Sequence, residues 1–133
     1  MSFKFLKYII ALPLLAAAIG AVVYFAILST DPLPGFDPAW DHYRDQVQHS
    51  GAFFIIAALT LVVVPKLIPV CVTLGAAALA LEGLHLVVPG RQATLSDAAW
   101  SWAGIAAAAT VFLLTRHAQR LVSVWFNTNN SQS

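Results

Sequence analysis

An uninterrupted apolar run, YIIALPLLAAAIGAVVYFAIL from Tyr8 to Leu28, constrains the fold more than any other feature. Twenty-one residues in a helix rise about 31 Å, close to the roughly 30 Å hydrocarbon thickness of a bilayer. Three further apolar runs follow, at about Val47 to Val64, Val70 to Val88 and Asp97 to Leu114. Backbone N–H and C=O groups find no water in lipid, so spans of this length are expected to be helices. A bundle buried in water would need a polar coat. Only 10% of the 133 residues are charged and 59% are hydrophobic, against about 25% charged in an ordinary soluble domain. The expectation is an all-α, four-helix transmembrane bundle.

The boundaries follow from turn and breaker residues. Lys4 and Lys7 precede the first run, as in a secretory signal. The run continues ten residues beyond the small-residue triplet Ala16–Ala18, whereas a signal's apolar region is about 7–15 residues long. An uncleaved span is therefore expected. Pro32, Pro34, Gly35 and Pro38 exclude a regular helix until about Ala39. PKLIP turns the chain at Pro65 to Pro69, and Pro89–Gly90 closes the third span. Thr94 or Ser96 suits the N-cap of the fourth, with Asp97 placed favourably against its N-terminal dipole. In the tail, Arg116, Gln119, Arg120 and Ser123 share one helical face, opposite Leu121, Val122 and Trp125. This pattern fits a short amphipathic helix on the membrane surface, or a continuation of the fourth span. The division expected is a transmembrane domain over 1–115, then an interfacial helix and a polar, disordered end over 116–133.

Lysine and arginine in short loops set orientation. Lys4, Lys7, Lys66, Arg116 and Arg120 would lie on one side, with only Arg44 and Arg91 on the other. Both termini are thus expected in the cytoplasm, with Trp40, Trp100 and Trp102 near the outer interface and Trp125 near the inner one. A net charge of +1 without a basic cluster argues against nucleic-acid binding. The single cysteine, Cys71, stands in an apolar setting and cannot form an intramolecular disulfide.

With that topology the remaining ionisable groups gather on the outer side. Asp45 and His49 share a face at the start of the second helix, and Glu82 and His85 share one near the end of the third. Arg91 sits in the following loop, and Asp97 and Ser101 open the fourth helix. Gly75 and Ala78 on the third helix, and Gly104 and Ala108 on the fourth, continue these faces as small residues that let helices approach closely. A third helix ending at Val88 puts Glu82 about 9 Å below its end. A carboxylate at the bilayer centre costs about 2.5–3.5 kcal/mol on insertion scales, and less near the surface, so Glu82 needs a partner from His49, His85 or Arg91.

These residues resemble the VanZ-like family, small bacterial membrane proteins named after a teicoplanin-resistance protein. The matching pieces are DQVQH with Asp45 and His49, EGLH with Glu82, PGR with Arg91, and DAAWSWAG with Asp97 and Gly104. Gln46 stands where the family usually has Lys, His85 where it has Gln, and Ser101 where it has Asn. The resemblance covers Asp45 to Gly104 and implies a role in the bacterial cell envelope without a transferable reaction.

Three functional readings remain open. In the first, the outer cluster binds the headgroup of an envelope lipid or lipid-linked glycan precursor, with Arg91 pairing a phosphate or carboxylate. In the second, the cluster only pins helices together, and the protein is an interaction subunit of an envelope or polysaccharide machine. In the third, it is a membrane-embedded enzyme. Asp45, His49, Glu82, His85 and Asp97 include enough donors for a divalent metal, although Glu-x-x-His occurs once where bundle metal sites use it twice. Without a metal, His49 with Asp45 or Glu82 is an acid/base pair. Gly-x-Ser-x-Gly, His-Glu-x-x-His and phosphate-loop motifs are absent, which weighs against the enzyme reading; apart from that divalent metal, no cofactor is expected.

Overall fold

The computed structural model describes residues 3–24, 41–87 and 94–130. The chain forms four helices: α1 (Phe3–Val23), α2 (Asp41–Val63), α3 (Leu67–His85) and α4 (Leu95–Asn130). Three of them carry segments long and apolar enough to cross a membrane, Gln46–Val63, Leu67–His85 and Leu95–Asn130. The apolar part of α1, Tyr8–Val23, is shorter, and residues 25–28 of the first apolar run lie outside the described residues. Pro13 sits inside α1 without ending it.

Two boundaries differ from the sequence reading in ways that matter. α3 ends at His85 rather than Val88, with Leu86 and Val87 in a turn that bonds back to Gly83 and Leu84. Glu82 therefore lies one helical turn from the end, about 4.5 Å at 1.5 Å per residue, half the expected depth. α4 does not stop near Leu114 and restart as a separate short helix; it runs unbroken to Asn130. No proline or glycine follows Gly104, and the sequence TRHAQRL favours continuing the helix. The first four residues of the expected disordered end are thus helical, while residues 131–133 lie outside the described residues.

α2 and α4 form the largest interface, α3 packs on α4 and less extensively on α2, and α1 packs on α2. The core joins Phe53 and Ala57 of α2, Ala78 of α3, and Ile105 and Ala108 of α4, with Phe54, Ala58, Cys71, Leu74 and Leu81 packed around it. Phe53 and Ala57 are four apart, and Ile105 and Ala108 three apart, so each pair lies on one helical face. Gly104 is buried on that face. A Cβ there would collide with the Ser50 carbonyl group and press on the Phe54 nitrogen, so the missing side chain is what allows α2 and α4 to touch backbone to backbone. Gly75 has a different use: its carbonyl accepts a hydrogen bond from the Trp102 indole N–H at 3.1 Å, tying α4 to the middle of α3.

Only 22%, 17% and 28% of the three apolar segments are buried inside the protein. Val62, Ile68, Val72, Leu79, Leu113 and Leu114 are among the large apolar side chains left exposed. A girdle of this extent is what a membrane covers. α4 is about 54 Å long at 1.5 Å per residue, and residues 113–130 are exposed throughout, so this helix outruns the bundle by several turns.

Candidate functional site

The turn between α2 and α3 and the antiparallel return of α4 bring three helix ends together: the start of α2, the end of α3 and the start of α4. Glu82, His85 and Ser101 are the buried polar side chains among the described residues, and all three belong to this end.

The first turn of α4 shows how the cluster is organised. Thr94 is the N-cap: its hydroxyl oxygen accepts the Asp97 N–H at 3.1 Å. TLSD is the sequence pattern of a capping box, in which the acidic residue normally reaches back to the N-cap N–H. Here that N–H donates to Glu82 Oε2 on α3, at 3.1 Å. A side chain from another helix has taken the usual place of Asp97, which leaves the Asp97 carboxylate turned toward α2. Its Oδ2 lies 4.0 Å from His49 Nε2. Thr94→Ala should cost about 0.5–2 kcal/mol, the usual loss for an N-cap, read as a lowered unfolding midpoint in detergent.

His49 is held from its other side. Ser101 donates its hydroxyl hydrogen to the Asp97 carbonyl at 2.9 Å, and its oxygen lies 3.4 Å from His49 Nδ1. His49 reaches this far because the next residue, Ser50, rests its carbonyl against Gly104. The small residue one turn deeper thus sets the geometry of the site. On α3, His85 Nδ1 is 3.4 Å from Glu82 Oε2. Among the described residues, nothing hydrogen-bonds the buried His85 Nε2.

One donor atom each from His49, Glu82 and Asp97 lie within 4.8 Å of one another. The structure therefore brings together five of the polar residues singled out in the sequence: His49, Glu82, His85, Asp97 and Ser101. Asp45 lies on α2 one turn before His49, but its side chain lies outside the described residues, as does Arg91. Of the packing residues, Ala78, Gly104 and Ala108 are buried and Gly75 is partly covered.

Two features were not read from sequence. The Thr94 N–H is the cross-helix partner of Glu82, and TLSD was the available signal. The second is an open groove of about 300 Å³ beside the cluster, lined by Tyr43, Gln46, Val47, Ser50 and Trp100. Only the one-turn spacing of Tyr43, Val47 and Ser50 hinted at it. No family model matches the chain, no curated protein matches it, and no solved structure matches it.

Proposed function

We propose that the protein is a VanZ-like, multi-pass protein of the bacterial cytoplasmic membrane whose polar end binds the headgroup of an envelope lipid or lipid-linked glycan precursor. The observation that carries this reading is the convergence of His49, Glu82 and Asp97 from three helices at one end of an otherwise apolar bundle. Polar groups are costly in such surroundings and mark ligand sites by default. The groove between α2 and α4 supports the same reading. It opens beside the cluster, and its largely apolar walls suit the first carbons of an acyl or prenyl chain.

All four helices cross the membrane in this reading, and both termini face the cytoplasm. The five-to-two bias of lysine and arginine supports that orientation. The cluster then faces outward, where envelope precursors are consumed, and Arg91 lies at headgroup level. Residues 116–130 form the cytoplasmic, amphipathic end of α4. Wild type and Arg91→Ala, purified from the same membranes, test the reading through their co-purified lipid. Retention of an anionic or glycan-bearing lipid by wild type, with about tenfold less on the variant, is the expected result for a loss near 1.4 kcal/mol. Equal retention by both contradicts it.

The exposed length of α4 favours a second reading, an interaction subunit of an envelope machine. Val122, Val124, Trp125 and Phe126 are exposed there. Under it, partner co-purification survives Glu82→Gln and is lost when residues 116–133 are removed.

A further inference from the structure

We infer that the polar end holds one divalent transition-metal cation of the Zn²⁺ class, ligated by His49 Nε2 and by carboxylate oxygens of Glu82 and Asp97. The inference rests on the reading of this end as a ligand site and names what the site takes first.

The placement of His49 is the starting point. Its Nε2 faces Asp97 Oδ2 at 4.0 Å, and its Nδ1 lies 3.4 Å from the Ser101 hydroxyl oxygen. A metal ion between Nε2 and the carboxylate would stand where a proton stands in a His–Asp ion pair, taking a lone pair from each. The Ser101 contact is also the outer-shell bond that metal-ligating histidines ordinarily make through their second nitrogen.

Charge points the same way. Glu82 and Asp97 bring two carboxylates together, with donor atoms within 4.8 Å. Of the lysines and arginines whose side chains are described, Lys66, Arg116 and Arg120 lie on segments remote from this end, while the side chains of Arg44 and Arg91 lie outside the described residues. A divalent ion cancels the two carboxylates.

Donor type selects the ion. Imidazole favours Zn²⁺ and its first-row neighbours, whereas Ca²⁺ and Mg²⁺ prefer shells made of oxygen. Ligand distances near 2.0–2.2 Å put tetrahedral donors about 3.4 Å apart. The present separations close to that by side-chain movements of about 1 Å, without moving a helix. The Thr94 N–H and the His85 ring already orient the Glu82 carboxylate. His49 and Asp97 keep 26% and 19% of their side-chain surface exposed, so an ion enters from the end of the bundle. Three protein ligands leave a coordination position open. An anionic headgroup, repelled by bare carboxylates, is attracted to that position once the ion is bound.

The test uses the full chain in detergent, stripped with chelator and titrated with Zn²⁺ by calorimetry, with metal content measured by elemental analysis. One zinc per chain is expected. His49→Gln, Glu82→Gln and Asp97→Asn should each weaken binding by roughly 10–100-fold or more, and Ser101→Ala by about tenfold with stoichiometry kept. His117→Gln, on the exposed part of α4, should bind as wild type, and equimolar Mg²⁺ or Ca²⁺ should not compete. Helical circular dichroism and gel filtration establish folding. If a ligand variant does not fold, Ser101→Ala decides. The inference is overturned if folded wild type takes up no zinc, or if the folded variants bind it as tightly as wild type. Lipid counted in the same samples separates the two proposals. Lipid held by protein that cannot bind zinc sinks the metal and keeps the headgroup reading. Zinc bound with no lipid retained on reloading keeps the metal and sinks the headgroup.

Discussion

Gly104→Ala should destabilise the bundle more than the same substitution at any other described glycine. The added methyl group would run into the Ser50 carbonyl and the Phe54 nitrogen, both backbone atoms of α2. Backbone cannot rotate out of the way as a side chain can, so α2 and α4 must separate along the largest interface in the molecule. Overpacking costs typically 1–3 kcal/mol and occasionally more; contact with a helix backbone places this site at the upper end. Gly51 and Gly83 have open space where a Cβ would stand. Alanine there should be neutral or stabilise by about 0.5–1 kcal/mol, the usual advantage over glycine inside a helix. At Gly75 a Cβ would meet the Trp102 indole at an ordinary 3.5 Å. Unfolding midpoints of the four variants in mixed detergent give the order directly. If Gly104→Ala is as stable as Gly51→Ala, the close approach of α2 and α4 is wrong, and with it the placement of His49 beside Ser101.

Glu82→Ala is the second large effect. Its carboxylate accepts the Thr94 N–H and faces the buried His85 ring, so alanine removes one hydrogen bond and one close polar contact at once. Leaving a buried donor unpaired costs about 1–3 kcal/mol; the Thr94 N–H is part-buried, which puts its loss at the low end, and the vacated volume adds a cavity term. Glutamine keeps an acceptor oxygen in nearly the same shape, so Glu82→Gln should lose less. The two variants separate structure from ligand binding: alanine weakens both, whereas glutamine chiefly removes the charge. Equal stability of Glu82→Ala and wild type would mean that this carboxylate does not tie α3 to the start of α4.

The helices were legible in the sequence because lipid leaves the backbone no alternative partner, and the turn before α3 because Pro65 marks it, although α3 already begins at Leu67 within PKLIP. The pairing of Glu82 with His85 follows from their three-residue spacing. What spacing does not reveal is which face meets which neighbour. His49 approaches Ser101 and Asp97 through the contact of Gly104 with α2, a property of two backbones rather than of one pattern. TLSD marks a cap at Thr94, but a local pattern does not say which helix supplies the partner of its N–H. Of the two courses open to the tail, α4 takes the continuation, because the change from apolar to polar at Arg116 marks a change of surroundings, not of backbone conformation.

A native mass spectrum of the purified protein, released gently from detergent, beside Glu82→Gln distinguishes a ligand site at the polar end from a helix clasp. Wild type is expected to carry a discrete added mass, a metal ion, a lipid or both, and folded Glu82→Gln to have lost it. Two equally folded proteins that both carry no added mass would contradict the ligand site and leave the cluster a purely structural tie between helices.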